Sequence, residues 1–175
     1  MDRVGYVYVA DTGNHRIQKF SSTGAYVSQL GTGTPGNANG QFISPYGIAV
    51  DGSGNVYVAD TYNNRIQKFS STGAYISQVG TGTRGNGNGQ FDTPRGIAVD
   101  RSGNVYVTDT GNDRVQKFTS SGMFIAKWGT YGKDPGQFKF PQGIAVAGDG
   151  SVYVADMENN RIQRFRLSGT SSGEA

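Results

Sequence analysis

The sequence predicts an all-β fold assembled from about four copies of a four-stranded antiparallel meander, on three observations. The first is a repeat. VYVADTGNHRIQKFSSTGAYVSQLGTGT begins at residue 7 and returns at 56 as VYVADTYNNRIQKFSSTGAYISQVGTGT. It returns again at 105 as VYVTDTGNDRVQKFTSSGMFIAKWGT and in part at 152 as VYVADMENNRIQRF, so the periods are 49, 49 and 47 residues. The second is composition: 28 glycines and 10 tyrosines among 175 residues, with only 35% hydrophobic, suit short strands and tight turns better than helices. The third is patterning. Within VYVAD, Val56 and Val58 lie on one face and Tyr57 and Ala59 on the other, so the strand is apolar on both sides and has to be covered on both. A meander flanked on each face by copies of itself, at a period of about 40 to 50 residues, is a β-propeller blade.

Each copy can be justified element by element. In the second, strands are expected at GIAVD (47–51), NVYVAD (55–60), RIQKF (65–69) and AYISQV (74–79), joined by GSG, TYNN and SSTG turns. Along the chain this places blades near 6–31, 47–80, 96–129 and 143–169, one domain over 1–169 followed by a polar tail at 170–175. Two blades are expected to be incomplete. MDRVG offers no GIAVD-type first strand, and TSSGEA offers no AYISQVG-type fourth strand, which leaves fourteen strands. A missing inner strand exposes core between blades, which is costly at about 25 cal/mol per Å² of apolar surface. Three resolutions exist: a small self-closed ring, completion by other copies, or excision from a longer propeller. The exposed blade edges favour self-association, because open repeat ends without polar caps are adhesive.

PYGIAVDGSGNVYVADTYNNRIQKFSSTGAYISQVG resembles the NHL-repeat family of β-propellers. G-I-A-V-D, N-V-Y-V-A-D, N-N-R-I-Q-K-F and the closing aromatic strand carry the resemblance, which spans residues 6 to 169. Asn14 and His15 match the first two letters of the family's name, but Arg16 stands where it has leucine. The resemblance implies radially packed blades with GIAV innermost and implies no single activity.

GTGTPG at residues 31–36, followed by Asp51, has the G-x-G-x-x-G spacing of a dinucleotide site. Such a site has to open a helix. Here NANGQFISPYGIAVD follows, punctuated by Pro45 and Gly47, and the third copy loses the pattern, so a connecting loop is expected. The chain has no cysteine, which excludes disulfides and thiolate chemistry. Its single histidine, His15, cannot build a histidine-rich metal site; the amidating lyases that resemble NHL propellers use histidine-ligated metal. GIAV sends no carboxylate towards the pore, so no metal or other cofactor is expected. No apolar run is long enough to span a membrane. The opening MDRVGYVYVAD lacks the pattern of a secretory signal, which leaves an intracellular, processed or excised chain. Zero cysteine and abundant Gly, Ser, Thr, Asn and Tyr favour an extracytoplasmic setting.

Up-and-down topology puts the fourth-to-first and second-to-third loops on one face. That face varies between copies: Tyr46, Arg95 and Gln142 precede the GIAV strands, while Tyr62, His15, Asp113 and Glu158 occupy the second-to-third loops. Drift of exposed loops produces such variation. The functional alternative is that these residues rim a pore and anchor a ligand, since aromatic and arginine side chains are good anchors. Asp11 and Arg16, Asp60 and Arg65, Asp109 and Arg114, and Asp156 and Arg161 recur in every copy, so they are expected to be structural pairs, bidentate across a hairpin. Lys19, Lys68, Lys117 and Arg164 are expected on blade surfaces with solvated charges, and Trp128 in packing.

The expected function is a non-catalytic scaffold that binds a protein or peptide partner through that face and forms a homo-oligomer through its incomplete blades. One alternative is a purely structural unit, assembling as a closed ring or a filament. Another is RNA binding, as in some animal NHL domains. Arg84, Arg95, Lys133 and Lys139 would contribute to it, and the net charge of +3 permits without requiring an anionic partner.

Overall fold

A computed structural model describes residues 2–166. The first sheet contains β1 (Val7–Asp11), β2 (Arg16–Phe20) and β3 (Tyr26–Leu30). The second contains β4 (Pro45–Val50), β5 (Val56–Asp60), β6 (Arg65–Phe69) and β7 (Tyr75–Val79). The third contains β8 (Pro94–Val99), β9 (Val105–Asp109), β10 (Arg114–Phe118) and β11 (Phe124–Trp128). The fourth contains β12 (Pro141–Val146), β13 (Ser151–Asp156) and β14 (Arg161–Arg166). All are antiparallel meanders in chain order, and among the described residues the first lacks its inner strand. The predicted tail at 170–175 and the end of the fourth blade lie outside the described residues.

Short 3-10 turns join second and third strands, and each ends on a residue in the left-handed region: His15, Asn64, Asp113 and Asn160, with φ of 49° to 52°. Asn and Asp tolerate that region better than most residues. GTGTPGNANGQF is a connecting loop, as its sequence predicts. It carries no helix, and it ends by inserting Phe42, fully buried, against Phe69 at 5.7 Å between ring centroids. Phe91 and Phe138 repeat this against Phe118 and Phe165.

The core lies between blades. Tyr8, Ala10, Ile17 and Leu30 of the first blade meet Val56, Val58 and Phe69 of the second. Equivalent clusters join the second blade to the third and the third to the fourth. This is why VYVAD is apolar on both faces: each face belongs to a different interface. Among the described residues, the outer faces of the array have no such cover. Ile162 on β14 is 66% exposed, whereas its repeat equivalent Ile66 is 2% exposed. Val9 on β1 is 44% exposed, whereas Val58 is fully buried.

The glycine of GIAV has a specific reason. A Cβ on Gly47 would run into the Arg95 carbonyl oxygen, and one on Gly96 into that of Gln142, because neighbouring inner strands converge there. At Gly143, on the last inner strand, a Cβ would meet only the Ala155 methyl at 3.5 Å. The opposite loops are held by Asp51 and Asp100. Asp51 accepts from the backbone N–H groups of Ser53 and Asn55, the Asn55 amide and the Tyr57 hydroxyl. Burial alone would raise the Asp51 pKa, but these hydrogen bonds outweigh it and hold the carboxyl below its ordinary value. Burial first, and then the Asp51 carboxylate, push the Tyr57 hydroxyl up.

Two predictions follow from this packing. Gly96→Ala should destabilise the fold by about 1–3 kcal/mol through overpacking, while Gly143→Ala should stay within about 0.5 kcal/mol; urea unfolding measures both. A lowered carboxylate pKa stabilises above its unfolded value and loses that contribution as pH falls through the folded one. Thermal stability should therefore decline below about pH 4, and Asp51→Asn should flatten that decline in melts between about pH 2.5 and 6.

Candidate functional site

In the last three blades the repeated aspartate at the end of the second strand gathers donors from its own hairpin and from the preceding loop. Asp60 Oδ2 accepts from Arg65 Nε at 2.8 Å, from Gln67 Nε2 and from Asn63 Nδ2, and Oδ1 accepts from the Ile43 backbone N–H. The pair is not bidentate. Only Arg65 Nε meets the carboxylate, while Nη2 donates to the carbonyls of Ala38 and Gln41 and Nη1 to the Gln78 side chain. The guanidinium thus ties the Gly-rich loop to the blade, a role that the five-residue spacing of the pair could not reveal. Asp109 with Arg114 and Asp156 with Arg161 repeat this at 2.7 Å. Asp11 and Arg16 also meet at 2.7 Å, with greater exposure. Burial pushes the Asp109 carboxyl up. At Asp156 burial acts the same way, but hydrogen bonds from the Lys139 backbone, Asn159 and Arg161 outweigh it and the carboxyl lies below its usual value.

His15 and Asp113, read from the sequence as ligand-face candidates, have structural work. His15 Nδ1 accepts from the Ser44 backbone N–H at 3.0 Å, Asn64 Oδ1 from Thr93, and Asp113 Oδ1 from Phe140. Each side chain holds the left-handed residue that precedes the next blade's inner strand. The variation His, Asn, Asp conserves one property, an acceptor at one point. Burial pushes the Asp113 carboxyl up, and the Glu158 and Asp156 charges add to it. The hydroxyls of Thr12, Thr61 and Thr110 donate to the carbonyls of Pro45, Pro94 and Pro141 in the following blade. The fourth copy has Met157 at this position, and its side chain is exposed. Lys19 and Lys68 also span blades, donating to the carbonyls of Ser71 and Ser120 while lying over tyrosine rings.

Three of the remaining candidates come together. Tyr46 on β4, Arg95 on β8 and Gln142 on β12 occupy matching positions of adjacent inner strands. Arg95 Cζ lies 4.7 Å from the centroid of the Tyr46 ring and 4.7 Å from that of Phe140. Sequence reasoning missed Phe140. The signal was present, since the equivalent positions hold Ser44 and Thr93. The Arg95 Nε is buried without a hydrogen-bond partner, and the guanidinium has no ion-pair partner among the described residues. An unpaired buried donor costs about 1–3 kcal/mol, which cation–π contacts of about 0.5–2 kcal/mol per ring offset. Tyr62 and Glu158 are exposed on the second-to-third turns, and Glu158 donates its backbone N–H to Lys139. Neither has a contact that places it with Arg95. Trp128 packs against Tyr106 and Phe165, as expected of a packing residue.

Four repeated meanders, packed face to face with the glycine-marked strands of the last three innermost, make this a β-propeller repeat protein. The NHL repeat model matches residues 5–20, 42–69, 91–118 and 138–165, and the chain belongs to the NHL repeat family. No curated protein matches its sequence. Among solved structures it is similar to a streptogramin B lyase, with TM-score 0.67 and 16% identity over 98% of this chain and 54% of that one. It is also similar to a catalytically inactive virginiamycin B lyase from Staphylococcus aureus with quinupristin, with TM-score 0.66 and 16% identity over 98% and 55%. An auxiliary nutrient binding protein from Bacteroides thetaiotaomicron gives TM-score 0.68 and 18% identity over 93% and 45%. These are likenesses of fold, and the chain spans about half the length of each of these structures.

Removing a buried carboxylate should expose its importance. Asp109→Ala leaves Arg114 and the Asp92 N–H without their partner and should cost about 3–5 kcal/mol in urea unfolding. Asp11→Ala, at the more exposed first-blade pair, should cost distinctly less.

Proposed function

We propose that the chain is a non-catalytic interaction scaffold that self-associates through its incomplete end blades and presents the Tyr46–Arg95–Gln142 face to a protein or peptide partner. The uncovered end faces carry this reading. Ile162 and Tyr153 on the fourth blade repeat the positions of Ile66 and Tyr57, which are buried against a following blade. Val9 and Tyr26 on the first blade repeat Val58 and Tyr75, which pack against a preceding one. The two faces are therefore the two halves of one interface type, and a second copy supplies the complement. Such a head-to-tail contact is heterologous, so it closes as a ring or continues as a filament. The same geometry accommodates a purely structural assembly unit.

The non-catalytic reading is supported by His15, whose Nδ1 is engaged with the Ser44 N–H. RNA binding is less favoured. Arg84 pairs with Asp92 at 2.8 Å, and Lys139 lies by Tyr131 with Glu158 and Asp113 acting on it. The lyase activity of the structural neighbours belongs to those proteins.

Light scattering after size exclusion, over a concentration series, tests the assembly. A fixed multiple of 18.6 kDa that collapses to monomer in Ile162→Glu is expected. A ladder of masses would indicate a filament, and a monomer at every concentration would end the self-association reading.

A further inference from the structure

We propose that Arg95 is the recognition residue for a carboxylate on the partner, held in place by Tyr46 and Phe140. The inference rests on the reading of this loop face as the binding face and names the chemistry that it takes. Three independent features point there.

First, Arg95 is a cation without a counter-charge in a molecule whose other partly buried arginines have one. Arg65, Arg114 and Arg161 each meet a carboxylate within 2.8 Å. Arg95 instead has a buried, unpartnered Nε, and among the described residues no hydrogen bond uses its guanidinium.

Second, the side chain is fixed before any ligand arrives. A tyrosine from the preceding blade and a phenylalanine from the loop entering the following blade both lie 4.7 Å from its Cζ. Two aromatic faces restrict a long side chain whose free rotamers would otherwise oppose binding, and the charge remains available at the guanidinium edge. A planar fork held this way matches the two oxygens of a carboxylate.

Third, Phe140 occupies a backbone position that suits it badly. Its φ is +54°, and the equivalent Ser44 and Thr93 have φ of +49° and +46°. The fold imposes the left-handed conformation on all three, and a bulky ring is unfavourable there. Only the copy adjoining Arg95 has an aromatic residue, and its ring lies on the guanidinium. Arginine likewise occurs at this inner-strand position in one copy, with tyrosine and glutamine in the others. Independent drift of two half-buried residues, one on β8 and one in the loop before β12, would not bring the single ring and the single cation into contact.

Carboxylates on a peptide come from an acidic side chain or from the C-terminus. Three acetylated tripeptides separate these sources: Gly-Gly-Phe with a free C-terminus, the same peptide amidated, and amidated Gly-Glu-Phe. The readout is the Arg95 side-chain Nε–H resonance in a heteronuclear NMR titration of the wild-type full chain, with light scattering on the same samples. Saturable shifts with one or both carboxylate peptides, absent with the amidated neutral one, are expected. Arg95→Gln should weaken binding at least about tenfold, and Arg95→Lys, which keeps the charge but loses the fork, should also bind more weakly. For the variants, backbone amide shifts of the inner strands report binding.

Phe140→Ser restores the residue found in the second copy and should leave the fold intact while weakening binding about three- to tenfold. It guards against a loss that reflects misfolding of the arginine variants. Equal shifts with all three peptides, no shift at millimolar peptide, or unchanged affinity in folded Arg95→Gln would overturn the proposal. Because mass is measured on the same samples, an assembled protein that ignores carboxylates would refute this inference alone. A monomer that binds them would refute only the self-association reading.

Discussion

The aspartate that ends each second strand, buried in the last three blades, is the interaction on which the rest of the architecture depends. Asp60 has no exposed surface, and its two oxygens accept hydrogen bonds from an arginine, a glutamine, an asparagine and a backbone amide. A carboxylate buried this way is tolerable only when it is fully paired and hydrogen-bonded. The arginine then extends the constraint outward, because its remaining N–H groups hold the carbonyls of the Gly-rich loop. One charge pair thereby fixes a hairpin and the loop that enters it.

That constraint explains which positions of the varying face are free to do something. His15, Asn64 and Asp113 differ in chemistry but share an acceptor atom aimed at the next loop. Thr12, Thr61 and Thr110 likewise reach a proline carbonyl of the next blade. With the loops pinned from both sides, the inner-strand positions of Tyr46, Arg95 and Gln142 carry the variation that structure does not claim. The aromatic-flanked arginine stands at such a varying position, on a strand whose flanking residues repeat.

The end blades show the same logic where it is interrupted. At the fourth blade the threonine is replaced by Met157, and a Cβ at Gly143 would find room that Gly47 and Gly96 lack. Among the described residues no further blade lies against that face. Its apolar side chains match ones that are covered in the inner blades, which motivates the self-association reading.

The sequence by itself determined the blades. Repeats at 49 residues, two-faced apolar strands and turn residues in register placed all fourteen strands, because alternation and turn chemistry are local properties of the chain. It also marked the Asp and Arg pairs, since five residues across a tight hairpin leave them little choice of neighbour. Only the tertiary structure decided what the loop residues do. His15 and Asp113 look like free polar groups until the next blade's backbone is seen to need an acceptor at that point. Phe140 looks like ordinary loop variation until two blades bring it against Arg95, forty-five residues earlier in the chain. Contacts between blades join positions related by the packing of whole sheets, and no local pattern encodes that geometry.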